Sequence, residues 1–131
     1  MPTIFSKIIS SEIPCHKVAE DNRFLAFLDI SPVAEGHTLV IPKKEVSYLF
    51  ELTDEDYTGL WLFAKRIAPA LAKAVPCLRV GVTVIGLEVP HTHIHLVPLN
   101  RTEDINFSKP KLTMSPEQLA STAEKIRNHL H

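Results

Sequence analysis

The chain carries only two cysteines, Cys15 and Cys77, in 131 residues. Two thiols make no disulfide framework and read as the reduced cysteines of a cytosolic protein. A charge excess is also missing, because 14 Lys and Arg face 15 Asp and Glu, for a formal net charge of −1. That balance argues against a broad nucleic-acid surface, while a small phosphate ligand needs only a local site. No apolar run is long enough to span a membrane, and the first residues lack the basic-then-apolar order of a signal peptide. The expectation is a cytoplasmic protein with neither nucleic-acid nor membrane partners. No internal repeat or low-complexity stretch interrupts the chain. Its length suits a single domain over 1–131 with a sound core.

What the chain does have is HTHIHLVP at residues 91–98. In an extended strand, alternate side chains share a face and lie about 7 Å apart. His91, His93 and His95 then share one face, and Thr92, Ile94 and Leu96 take the other. Three imidazoles on one short strand suit chemistry at neutral pH, as nucleophile, proton carrier or metal ligand. Two other readings compete. The histidines could decorate a solvent face. Alternatively, adjacent same-face histidines could share a zinc ion, although zinc sites usually add cysteine or carboxylate ligands.

Hydrophobic spacing predicts a short helix over Thr3–Ser11, with Ile4, Phe5, Ile8 and Ile9. Ile13–Glu20 and Phe24–Asp29 read as a hairpin about a polar turn. A loop with Pro32 and Gly36 leads to the strand His37–Ile41, which stops at Pro42. A short helical stretch over Glu45–Leu52 comes next. Thr53 is a good N-cap for a long helix, with Asp54, Glu55 and Asp56 in its first turn and Asp56 placed for a capping box. Tyr57, Leu60, Trp61, Ala64, Ile67, Ala68, Leu71 and Val75 form its apolar face. Pro69 should kink or split it. Leu78–Ile85 is a β-branched strand, Gly86-Leu87-Glu88 a turn, and Val89–Val97 the histidine strand. The tail from Leu99 to Met114 has no firm period. Ser115-Pro116-Glu117-Gln118 opens a terminal helix to about Leu130. Helices set apart from an antiparallel sheet make the class α+β.

HTHIHLVP resembles the signature of the histidine-triad (HIT) nucleotide-binding family. TIFSKIISSEIP, FLAFLDISP and HTLVIPKK extend the resemblance to its Hint-type branch, in the same order, over most of residues 3–99. The terminal helix lies outside the firm match. The resemblance implies a five-stranded sheet that continues across a homodimer, with the Thr53 helix and the strand Leu78–Ile85 at the interface. It implies a purine nucleotide substrate, no required cofactor, and hydrolysis through a nucleotidyl-histidine intermediate. Phosphoramidates of adenosine monophosphate are the first expectation. Dinucleoside polyphosphate hydrolysis, or nucleotide binding with little turnover, are the alternatives.

Residue by residue, the resemblance makes His93 the nucleophile and has the backbone of His91 orient it. It places His95 at the phosphate and His37 beside the triad. Asp29 matches the ribose-binding acid, and Ile4, Phe5, Ile8, Phe27, Ile30 and Leu39 match an apolar base pocket. Lys43 and Lys44 could attract phosphates or simply be solvated. The chain departs from the pattern in the loop GLEVPH. Leu87 replaces the usual glutamine and Glu88 the usual hydroxyl residue, and the usual upstream asparagine has only Thr83 as a near candidate. Glu88 could serve as a proton donor to the leaving group or be a solvent-exposed turn residue.

Overall fold

A computed structural model describes residues 3–130. Its helices are α1 (Ile4–Ile9), α2 (Asp54–Ala74) and α3 (Pro116–Asn128). Its strands are β1 (Lys17–Glu20), β2 (Phe24–Leu28), β3 (Thr38–Pro42), β4 (Arg79–Thr83) and β5 (Ile94–Leu99). The strands form one antiparallel sheet in the order β1-β2-β3-β5-β4. The α+β expectation and the five-strand count therefore hold. No helix among the described residues is long and apolar enough to cross a membrane.

Alternation sorts the sheet's side chains to two covered faces. Ala26, Leu28, Val40, Ile94 and Leu96 join a core with Leu60, Ala64, Ile67 and Leu71 of α2 and Ile126 of α3. Leu25, Phe27, Leu39 and Ile41 point the other way and cluster with Phe5 of α1. Both faces are occupied, so β2 and β3 are buried at every position. Each fully buried Leu, Ile or Phe there contributes roughly 1.5–3 kcal/mol.

The termini follow local chemistry. Thr3 caps α1 by accepting the Ser6 N–H at 3.0 Å, and Ser6 Oγ accepts the Thr3 N–H in return. Asp21 Oδ1 accepts the N–H groups of Arg23 and Phe24 and closes the β1–β2 hairpin. Ser115 and Gln118 form the expected capping box of α3.

Several boundaries differ from the sequence reading. The stretch Glu45–Leu52 shortens to one 3-10 turn, Leu49–Glu51. Thr53 caps α2, but the Asp56 carboxylate leaves the capping box for Arg23 at 2.6 Å and Lys44 at 3.3 Å. An arginine beside it outcompetes a neutral backbone N–H. The helix runs unbroken through Pro69. Pro69 and Lys65, four residues earlier, are both exposed, where water can serve the carbonyl that the proline leaves without a donor. The buried face of α2 adds Phe63 and Ala70 and leaves Ala68 half-buried. Phe63 is drawn in by Phe24, with ring centroids 5.6 Å apart.

Candidate active site

The histidine segment is only partly a strand. β5 begins at Ile94, so His91 and His93 precede the ladder. Pro90 has no N–H to offer a neighbouring strand. Instead the His91 N–H donates back to Val89, and the Thr92 N–H donates to the carbonyl of Val46 at 2.7 Å. Alternation survives this irregularity. Thr92 also turns its hydroxyl to Val46, Ile94 enters the α2 core, and His93 and His95 face the opposite side. Their ring centroids are 4.8 Å apart, closer than ideal strand spacing. None of the three decorates a solvent face, because His91, His93 and His95 are all buried.

Hydrogen bonds set the tautomer of each ring. His93 Nδ1 lies 2.7 Å from the carbonyl of His91. A carbonyl only accepts, so Nδ1 carries the proton, and the neutral ring keeps a lone pair on Nε2. His91 Nε2 lies 2.7 Å from the carbonyl of Pro42 and donates to it for the same reason. The Val33 N–H donates to His37 Nδ1 at 3.1 Å, which places the His37 proton on Nε2. That proton is donated to His95 Nδ1 at 2.9 Å, leaving His95 Nε2–H as a donor. The site thus has a lone pair on one ring and an N–H on the next.

Burial keeps the supporting rings neutral. It pulls the pKa of His37 from 6.5 down to about 4, against the opposing pull of the Asp29 carboxylate. Burial, then the charge of His93 and His37, lowers His95 to about 3. His91 is also lowered by burial, more than its bond to Pro42 restores. Charged imidazoles lose more on desolvation than these contacts return.

A cavity of about 480 Å³ opens in front of His93 and His95. Phe27, Leu39 and His95 sit side by side across β2, β3 and β5, by register, and form its floor. Phe5 and Ile8 of α1 form one wall, with Phe5 edge-on to His93 at 5.0 Å. Ile4 and Ile30 complete the apolar lining while remaining 50% and 67% exposed. Apolar side chains left open around a cavity are placed for a ligand rather than for the core. Asp29 lines the cavity too, accepts the Ser31 N–H at 2.8 Å, and has Oδ2 3.8 Å from His37.

His37 and His91 stand behind the lining, and their hydrogen bonds to it run to His95 and His93. Glu88 lines it and is exposed; Leu87 beside it is 88% exposed. Thr83 pairs with His95 across the strands and is not part of the lining. Lys43 and Lys44 point elsewhere, paired with Glu20 at 2.8 Å and Asp56 at 3.3 Å.

The sequence reading missed Phe107 and Lys111, both in the tail that showed no period. Phe107 lies edge-on to His95 at 4.7 Å and to His37 at 5.7 Å. A single aromatic in the polar stretch 99–114 was the available signal.

Among the described residues, one set has metal-ligating chemistry. Asp29, His37 and His95 place ligand atoms within 4.8 Å of one another. Both nitrogens of His37 are already engaged, however, by Val33 and by His95. A shared ion would have to break that pair and expel its proton, so the arrangement fits a hydrogen-bonded pair better than a zinc site.

Comparison with known proteins supplies the family. The chain is 33% identical over 132 residues to an adenosine 5'-monophosphoramidase of Schizosaccharomyces pombe, covering 99% of each. It is 44% identical over 96 residues to that of Saccharomyces cerevisiae, covering 72% of this chain and 61% of the relative. A Hit-like protein from Bartonella henselae superposes with a TM-score of 0.85 at 34% identity, over 98% of this chain and 96% of that one. A zinc-bound histidine triad family protein from Mycobacterium smegmatis gives 0.79 at 29% identity, over 96% and 91%. The family model described as the HIT domain matches residues 10–102, most of the chain, and the protein belongs to the HIT family.

Proposed function

We propose that the protein is a nucleotide-binding hydrolase of purine nucleoside monophosphate derivatives, with phosphoramidates as its first substrate class. The observation that carries this reading is the pairing of a lone pair on His93 Nε2 with an N–H on His95 Nε2, at one end of an apolar cavity. The two related phosphoramidases support the reaction class.

In this scheme the base lies among Phe5, Phe27, Ile30 and Leu39, and Asp29 accepts hydrogen bonds from the ribose hydroxyls. His95 donates to a non-bridging phosphate oxygen. His93 Nε2 attacks the α-phosphorus, and the bond from phosphorus to the leaving nitrogen breaks. The amine departs with that electron pair and takes up a proton. Water then attacks the nucleotidyl-histidine, releasing the nucleoside monophosphate and restoring His93. His37 and His95 work here as a neutral hydrogen-bonded pair, the arrangement a shared zinc would break.

A screen of adenylyl and guanylyl amides, thioesters and dinucleoside polyphosphates tests the reading, with the amides expected to turn over fastest. Binding without turnover across the panel would establish a nucleotide-binding protein instead. Turnover confined to the polyphosphates would move the substrate class.

Glu88 is the acid we assign to the leaving amine, since it lines the cavity in place of the usual hydroxyl residue. Glu88→Gln keeps shape and removes the transferable proton. It should lower turnover roughly 10²-fold with a poor leaving group and far less with one that needs no protonation. Equal, small losses on both would reduce Glu88 to a turn residue.

We also propose a cytoplasmic homodimer. Leu62 on α2, Leu78 just before β4 and Val82 within it are 59%, 80% and 47% exposed, and β4 is an edge strand. A two-fold contact would cover them and extend the sheet. Sedimentation at micromolar concentration should give twice the 14.7 kDa chain mass. A monomer there would remove this assembly.

A further inference from the structure

We propose that Lys111, from the segment between β5 and α3, supplies the cation that recognises the substrate's phosphate, a role that rests on the nucleotide reading above. The cavity is unusually poor in positive charge for an anionic ligand. Its described lining includes two carboxylates, Asp29 and Glu88, and a single lysine or arginine, Lys111. The buried rings do not make up the difference. His37 and His95 stay neutral near pH 7, with pKa values of about 4 and 3. Lys43 and Lys44 are spent on Glu20 and Asp56. Leu87, which also lines the cavity, has no side-chain donor to offer.

The segment is fastened where a phosphate contact needs it. The Leu112 N–H donates to the carbonyl of Pro32 at 2.8 Å, tying the segment to the loop after Asp29. Phe107 lies against His95, and Lys111 Nζ lies 5.6 Å from the centre of that phenyl ring. Lys111 donates to the Phe107 carbonyl, which uses one of three ammonium N–H donors. Two remain for a phosphate at the His93–His95 end. The lysine is close enough to these rings for its charge to help lower the pKa of His37. Both residues lie beyond the HIT match, which ends at residue 102. Lys111 is thus the one lysine or arginine that the described lining offers an anionic ligand.

Calorimetric titration of the full chain with AMP and with adenosine tests this. Lys111→Met should weaken AMP about tenfold, as loss of one charged hydrogen bond does, and leave adenosine unchanged. Lys111→Arg should recover most of the AMP affinity, and rising salt should erode the wild-type preference for AMP over adenosine. An unchanged AMP affinity in Lys111→Met would overturn the inference, and so would equal weakening of both ligands. If the wild type itself binds neither ligand, the nucleotide reading fails first and takes this one with it.

Discussion

His93→Ala should lower turnover of an adenylyl amide by roughly 10⁴-fold or more and leave AMP affinity within a few-fold. The asymmetry follows from what the ring does in the proposed scheme. As a ligand contact it is one of several groups around the phosphate. As the nucleophile it is the atom that bonds phosphorus, and no other group in the cavity duplicates it. His95 has its Nε2 protonated by the chain from Val33 through His37, so it offers a donor where attack needs a lone pair. His91 is turned away and bonded to Pro42. The substitution also leaves the His91 carbonyl without its donor, a local cost of about 1–3 kcal/mol. Urea unfolding and AMP binding on the same preparation separate that cost from the catalytic loss. Near-normal turnover in a folded His93→Ala would disprove the mechanism.

The alternation of HTHIHLVP puts His91, His93 and His95 on one face and Ile94 on the other. The structure keeps that sorting for His93, Ile94 and His95 while His91 stands behind the lining, although of the three histidines only His95 lies within β5. Period-two reasoning survives because side-chain direction depends on extended backbone, not on a completed ladder. Where the strand starts was not legible, because it depends on Val46, which binds Thr92 across 46 residues of sequence. The same limit governs α2. Its spacing gave the face, while Phe63 turned inward for a partner, Phe24, that the helix alone does not reveal.

The cavity shows a different kind of limit. Ile4 and Ile30 match an apolar base pocket by resemblance, but residue type alone does not separate lining from core, and it is their 50% and 67% exposure that does. Phe107 and Lys111 reach the site from a segment without periodicity, held by a single backbone bond to Pro32 and by packing against two buried histidines. Pattern carries no information about such a segment, since its position is fixed by what it lands on. The tautomers were equally hidden. They follow from which backbone groups face each ring, a property of loop geometry and not of residue type.

The same buried rings should make the fold acid-sensitive in a definite window. His37 and His95 have folded-state values of about 4 and 3 against an ordinary 6.5, and burial is the first cause for both. Above pH 6.5 these groups are neutral folded and unfolded, so they add no pH dependence. As pH falls below 6.5 the unfolded chain takes up protons that the folded chain refuses, and stability drops. Each histidine contributes a slope of at most about 1.4 kcal/mol per pH unit, which ends once the folded value is passed. Glu20 and Asp56, lowered by Lys17 and Arg23, act in the same direction but only below their ordinary values of 4.5 and 3.8. Glu20 is exposed and Asp56 half-buried, both in surface ion pairs screened by water, so their share is small. The interval from pH 6.5 to 5 therefore isolates the histidines. Urea midpoints should fall steadily across it, and His95→Gln, which removes one titrating ring, should flatten the fall. The structural reason is specific: a protonated His37 would turn an N–H toward the Val33 N–H that it now accepts from. A midpoint that stays level from pH 7 to 5 would mean that these rings take up protons as readily in the folded protein as in the unfolded chain, and the neutral pair behind His93 would not exist.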